Sequence, residues 1–105
     1  MIGRVWHGWT THANADVFEA VVRNEILPTM LSKAISGFRD IQLMRLVRAG
    51  HTEFATLMRF DDMDAVRAFA GEDYTRAVVH PKARDLLRRF DTRVNHYEVR
   101  EIRSA

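Results

Sequence analysis

The chain has 105 residues, 47% hydrophobic and 29% charged, a globular composition that excludes disorder and leaves room for one domain, residues 1–105. With no cysteine it can have no disulfide staple, thiolate metal site or cysteine nucleophile. The 16 basic residues, almost all arginine, exceed the 14 acidic ones by only two. They also stand among acids, Arg84, Arg88 and Arg89 around Asp85, Arg100 and Arg103 around Glu101, which describes an ion-paired face rather than a nucleic-acid stripe.

The first residues, MIGRVWHGWTT, carry one positive charge and no apolar run of signal-peptide length. No stretch approaches the roughly 20 apolar residues of a membrane span. The expectation is a soluble, cytoplasmic protein with no nucleic-acid or membrane partner.

Residues 2–10 read as a strand with two faces, Ile2, Arg4, Trp6, Gly8 and Gly3, Val5, His7, Trp9. Asn14 is the expected N-cap of a helix through about residue 33. Its apolar residues, from Val17 and Phe18 to Met30 and Leu31, recur at helical spacing, and Pro28 must kink it or tighten its last turn. Gly37 marks its exit. Residues 38–48 and 52–60 read as an antiparallel hairpin across Ala49-Gly50-His51. Asp61 or Asp62 then caps a helix through Val66 and Phe69 that ends at Gly71. Pro81 suits the first position of a last helical segment carrying Ala83, Leu86, Leu87 and Phe90. A final strand follows at Thr92–Ile102.

The order βαββαβ is the split βαβ arrangement, an α+β ferredoxin-like fold with helices on one face of a four-stranded antiparallel sheet. The other face also looks apolar. It presents Trp9, Leu43, Leu57 and Tyr97, or Trp6, Met44, Phe54 and Phe60, depending on parity. An apolar second face calls for a second cover, and the economical one is another copy of the chain, hence a homodimer.

RNA-recognition domains share this topology. Their third strand needs a basic residue, glycine and aromatics at fixed alternate positions. Glu53-Phe54-Ala55-Thr56-Leu57-Met58-Arg59-Phe60 does not fit that register. An iron–sulfur ferredoxin is excluded by the lack of cysteine.

At residue level the chain resembles the antibiotic biosynthesis monooxygenase family of the dimeric α+β barrel superfamily. The resemblance rests on Val5-Trp6-His7-Gly8-Trp9-Thr10, on Gly37-Phe38, on Glu53-Phe54 and on the run Arg59–Phe69. The stretch from Ala70 to Tyr74 and then Val78-Val79-His80-Pro81 resembles a branch of that family whose members are uncharacterised. The resemblance implies a cofactor-independent monooxygenase acting on a small aromatic or quinone-type substrate. A non-catalytic ligand-binding dimer is the alternative. Haem degraders of the family use an asparagine on the first strand, then a tryptophan and a histidine around the second helix. Here the asparagine is missing, Phe69 takes the tryptophan position and His80 is displaced by one residue.

His80 is the candidate catalytic base, placed where the chain bends before Pro81, since an imidazole is the side chain suited to taking a phenolic proton near neutral pH; the plainer role is a helix N-cap. Trp6, Phe69 and Tyr74 are the candidate substrate-binding residues, aromatic walls for a flat ligand; plain packing is the plainer role of a tryptophan on a strand. His7 and His96, expected on neighbouring strands, lack the short spacing of a metal site. No metal or prosthetic cofactor is expected, since histidines are unclustered and no glycine-rich phosphate loop is present. Arg39, Asp40 and Arg45 lie on the second strand, a possible edge, and are assigned no chemistry.

Overall fold

A computed structural model describes residues 1–105. Strand β1 (Ile2–Thr10) leads into α1 (His12–Val21), a wide π-helical turn (Val22–Ile26) and α2 (Leu27–Ser32). The hairpin β2 (Phe38–Val47) and β3 (Thr52–Phe60) follows, then α3 (Met63–Ala70), a short α4 (Pro81–Arg84), β4 (Arg89–Phe90) and β5 (Asn95–Glu98). The sheet is antiparallel in the order β2-β3-β1-β4, with β5 also paired to β1. β4 meets β1 at Gly8 and Trp9, and β5 meets it from Ile2 to Val5. Together they make one interrupted fourth strand, so the fold is the ferredoxin-like one.

Several boundaries differ from the sequence expectation for local reasons. Thr11, not Asn14, caps α1; its hydroxyl accepts the Asn14 N–H at 3.1 Å, satisfying one of the donors a helix start leaves free. Pro28 widens the helix instead of tightening its last turn. It has no N–H for the carbonyl of Asn24, and just before it the Leu27 N–H reaches back to Val22, a five-residue step. The last helical segment stops at Arg84, and Phe90 belongs to β4. The final strand is interrupted between Phe90 and Asn95 because another segment takes the backbone of residues 92–94. Ala77 donates to Thr92, and Val94 donates to Thr75. Asp62 caps α3 and Gly71, at φ 86°, ends it, the left-handed geometry that favours glycine.

A bulge sets which residues face the helices. Phe38 pairs with Phe60 and Asp40 with Arg59, leaving Arg39 as the extra residue. Beyond it the parity of β2 is reversed, since one added residue exchanges the faces. Leu43 therefore pairs with Thr56 on the helix side, and Met44 pairs with Ala55 on the open side. The open face carries Trp9, Leu57 and Tyr97 from one of the two sets that parity alone allowed and Met44 from the other, with Leu46 added beside it.

On the covered face the core forms two clusters. One joins Ala15, Phe18 and Val22 to Phe54 and Ala83. The other joins Met58 and Phe60 to Ala65 and Val66. Strand β2 lies at the sheet edge, and its charges are ion-paired: Arg39 with Asp61, Asp40 with Arg59, Arg45 with Asp16 and Glu19.

Candidate functional site

Between the two core clusters lies a cavity of about 70 Å³, lined by 16 residues of which 13 are hydrophobic. The three others, Arg4, Thr56 and His80, are its whole polar inventory. The strands give the floor, Arg4 and Trp6 from β1, Ile41 from β2, Thr56 and Met58 from β3. Val22, Ile26 and Met30 overhang it, and Phe69 closes one end. Val78 and His80, both exposed, form the rim. The wide turn at Val22–Ile26 brings Val22 and Ile26 to this wall together, and such turns recur at functional sites.

Arg4 is the least expected of these residues, a charged side chain only 3% exposed. Its Nη1 donates to the carbonyl of Tyr74 at 2.5 Å and to Nε2 of His96 at 3.0 Å, and its Nη2 donates to the carbonyl of Arg76 at 3.2 Å. These bonds exist because residues 75–77 pair with Thr92, Arg93 and Val94 in the gap of the final strand. The guanidinium also sits 5.7 Å from the centre of the Phe69 ring. No carboxylate pairs with it. Burial pulls its pKa down to about 10, so it remains a cation at neutral pH. Burying an unpaired charge is costly, and the neutral carbonyls offset that cost only in part.

His96, opposite Arg4 in the β1–β5 register, must accept on Nε2, because a guanidinium only donates. Its remaining proton therefore sits on Nδ1. Burial, and then the charge of Arg4, hold its pKa below the ordinary imidazole value.

Trp6 is fixed from both ends. Its Nε1 donates to the carbonyl of Asp91 at 3.1 Å, and its ring tip lies over Gly8, where a Cβ would come within 2.4 Å of it. Asp91 is itself anchored. Its Oδ2 accepts the His7 N–H at 2.9 Å and lies 2.9 Å from His7 Nδ1. Phe69 packs its ring 5.7 Å from Phe60 and 5.9 Å from Phe38, so the far wall of the cavity is part of the second core cluster.

His80 stands at the rim, exposed, with Nδ1 accepting the Lys82 N–H at 3.1 Å. It is the N-cap of α4. In that arrangement the neutral ring keeps its proton on Nε2, and neither nitrogen has a free lone pair. Tyr74 does not line the cavity. Its ring packs edge-on to His96, with centroids 5.6 Å apart, under Arg67, and it serves Arg4 through its carbonyl. His7 and His96 do not meet, because odd and even positions of β1 face opposite sides; His7 belongs to the open face with Trp9.

Among the sequence candidates, then, Trp6, Phe69 and His80 converge on the cavity and Tyr74 lies behind it. Arg4, Thr56 and Asp91 were missed. Arg4 carried a legible signal, a lone charge on the same strand face as Ile2, Trp6 and Gly8.

No protein-family model matches the sequence, and no curated protein matches it either. Solved structures do resemble it. A Bacillus cereus protein provisionally described as an antibiotic biosynthesis monooxygenase superimposes with a TM-score of 0.67 at 15% identity, over 100% of this chain and 96% of that one. The haem degrader MhuD of Mycobacterium tuberculosis, with two haems bound in its active site, gives 0.61 at 14% identity, over 99% and 100%. SnoaB of Streptomyces nogalater, a cofactor-independent oxygenase, gives 0.55 at 17% identity, over 96% and 95%. At such identities the similarity is one of fold.

Proposed function

We propose that the chain is a distant member of the antibiotic biosynthesis monooxygenase family, a cofactor-independent oxygenase acting on a small aromatic or quinone-type substrate. The observation that carries this reading is the cavity itself, apolar on 13 of 16 lining residues and walled by Trp6 and Phe69. The fold it shares with SnoaB and the Bacillus cereus protein supports it. Loss of a phenolic proton makes an aromatic ring electron-rich enough to pass an electron to dioxygen. In such a reaction a ring methylene becomes a carbonyl, and the second oxygen atom leaves as water with the two hydrogens. The protein's part is to align the ring, exclude water and manage the proton. His80 takes that proton once its ring releases the Lys82 N–H.

A cavity of about 70 Å³ is smaller than the ~150 Å³ that holds benzene in a dry protein interior. A ring therefore enters as the rim at Val78 and His80 opens, and a porphyrin would require the helices to part from the sheet. With no asparagine on β1, this argues against haem degradation.

The working form is a homodimer built on the open sheet face. Only 15 of 105 residues are buried in the single chain, and Met44, Leu46 and Tyr97 are 44%, 47% and 58% exposed. A second sheet is the cover that buries them. No helix is long and apolar enough to cross a membrane; with no cysteine to oxidise, the cytoplasm is the compartment we assign.

A second reading, a ligand-binding dimer without turnover, is favoured by the capping bond that occupies His80 Nδ1. Oxygen consumption with anthrone and hydroquinone substrates separates the two. An oxygenase consumes oxygen, and His80→Ala lowers its rate ~100-fold. A binding protein shows a thermal shift with the same compounds and no oxygen uptake, and His80→Ala then costs only about 1 kcal/mol of stability.

A further inference from the structure

We infer that the cavity is built for an anionic ligand, a small unsaturated ring bearing one oxyanion that docks on the side-on fork of Arg4. The inference rests on the reading of the cavity as a small-molecule site, and it names the charge of what enters.

The argument is one of hydrogen-bond accounting. A guanidinium has five N–H donors. Nη1 spends both of its donors on Tyr74 and His96, and Nη2 spends one on Arg76. The Nε–H and the second Nη2–H have no partner in the chain. Those two groups can form a side-on pair that grips a carboxylate with two parallel bonds. Arg39 grips Asp61 in this way, Nε to one carboxylate oxygen and Nη2 to the other, and Arg59 grips Asp40 likewise. Arg4 is 97% removed from solvent by its 3% exposure, lines the cavity and lacks the anion that those two arginines have.

The surroundings favour an anion and nothing else. Phe69 beneath the guanidinium and the carbonyls of Tyr74 and Arg76 steady the cation without neutralising it. His96, its Nε2 lone pair engaged, adds no negative charge, and no Asp or Glu lines the cavity to repel or replace a ligand. Thr56, paired with Trp6 across β1 and β3, is the one hydroxyl on the floor. An oxyanion on Arg4 places the attached ring among Trp6, Met58 and Phe69. Two chemistries supply such an oxyanion, a carboxylate or an ionised phenol or enol; in the second case Arg4 would itself lower the substrate's pKa and share the work assigned to His80.

The test uses three probes on the intact protein. Calorimetric titration should find benzoate at least ~10-fold tighter than benzamide, its uncharged counterpart. Arg4→Met should abolish that preference, and Arg4→Lys, which keeps the charge but not the fork, should retain part of it. Should Arg4→Met not fold, the Arg4 Nε–H resonance in the wild-type protein gives the same answer, shifting with benzoate and not with benzamide. 4-Nitrophenol, whose absorption reports its ionisation, separates the sources. A pKa lowered in the wild-type complex, less so in Arg4→Lys and not in Arg4→Met, assigns the phenolate; an unchanged pKa beside benzoate selectivity assigns the carboxylate. Equal binding of benzoate and benzamide with no phenol shift overturns the inference. Benzoate selectivity without oxygen uptake from any hydroquinone would sink the oxygenase reading alone. Oxygen uptake at the same rate in wild type and Arg4→Met, with no preference for anions, would sink the inference alone.

Discussion

Arg4 and His96 face each other across β1 and β5, with Nη1 donating to Nε2 at 3.0 Å. The bond sets the tautomer of the imidazole and makes its protonation unfavourable, because an Nε2–H would meet a donor and a like charge. His96 therefore titrates below an ordinary histidine, from burial first and Arg4 second. The unfolded chain takes up the proton at a higher pH than the folded one. Stability is thus unaffected above the unfolded value of ~6.5 and is lost as pH falls below it, until the folded state also protonates. Urea denaturation of wild type and His96→Gln should diverge as the pH is lowered from neutral, wild type losing more. Parallel curves would show that His96 is not held neutral by this contact.

Gly8 is the position against which the Trp6 ring rests. An added Cβ would lie 2.4 Å from the indole tip and 3.0 Å from Leu87, so the indole must swing towards the cavity. Gly8→Ala should destabilise the fold by about 1–3 kcal/mol and weaken or abolish binding of any ring ligand, read by thermal melting and ligand titration. Retained affinity would show that Trp6 is not a wall of the site.

Thr10 is fully buried and its hydroxyl has no hydrogen-bond partner. Valine has nearly the same shape and leaves no orphaned donor. Thr10→Val should be neutral or stabilising, by up to about 1 kcal/mol, although Thr-to-Val exchange at a satisfied site is destabilising. A clear loss of stability would reveal a partner for the hydroxyl, such as a bound water.

Leu46 lies on the open face, 47% exposed in the single chain. Light scattering should give about twice the 12.2 kDa chain mass for the wild type. Leu46→Asp should reduce it to the single-chain mass with unchanged circular dichroism, because an unpaired charge buried between two sheets costs several kcal/mol. A monomeric wild type at micromolar concentration would refute the dimer.

Much of this protein was written locally. The alternation in residues 2–10, the hairpin at 38–60, the Asp62 cap with Gly71 behind it, and Pro81 at the start of α4 each rest on contacts within a few residues. Local chemistry fixes such elements whatever lies beyond them, and their order gave βαββαβ. The aromatic walls at Trp6 and Phe69 were legible for the same reason, as large apolar side chains on core-facing positions.

What tertiary structure alone decided was which groups meet. A single extra residue at Arg39 chose the open face of β2, a choice that depends on pairing with β3 and not on β2 itself. The break at Thr92–Val94 arose because a segment 15 or more residues earlier claimed its backbone, and that same crossing brought the carbonyls of Tyr74 and Arg76 to Arg4. His80 and Arg4 show the limit from opposite sides. Position before a proline marked the histidine, but its lone pair went to Lys82. The alternation of β1 put Arg4 on the core-facing side, but that it has no anion there was not legible, since charge balance is a sum over partners more than 70 residues away in the chain.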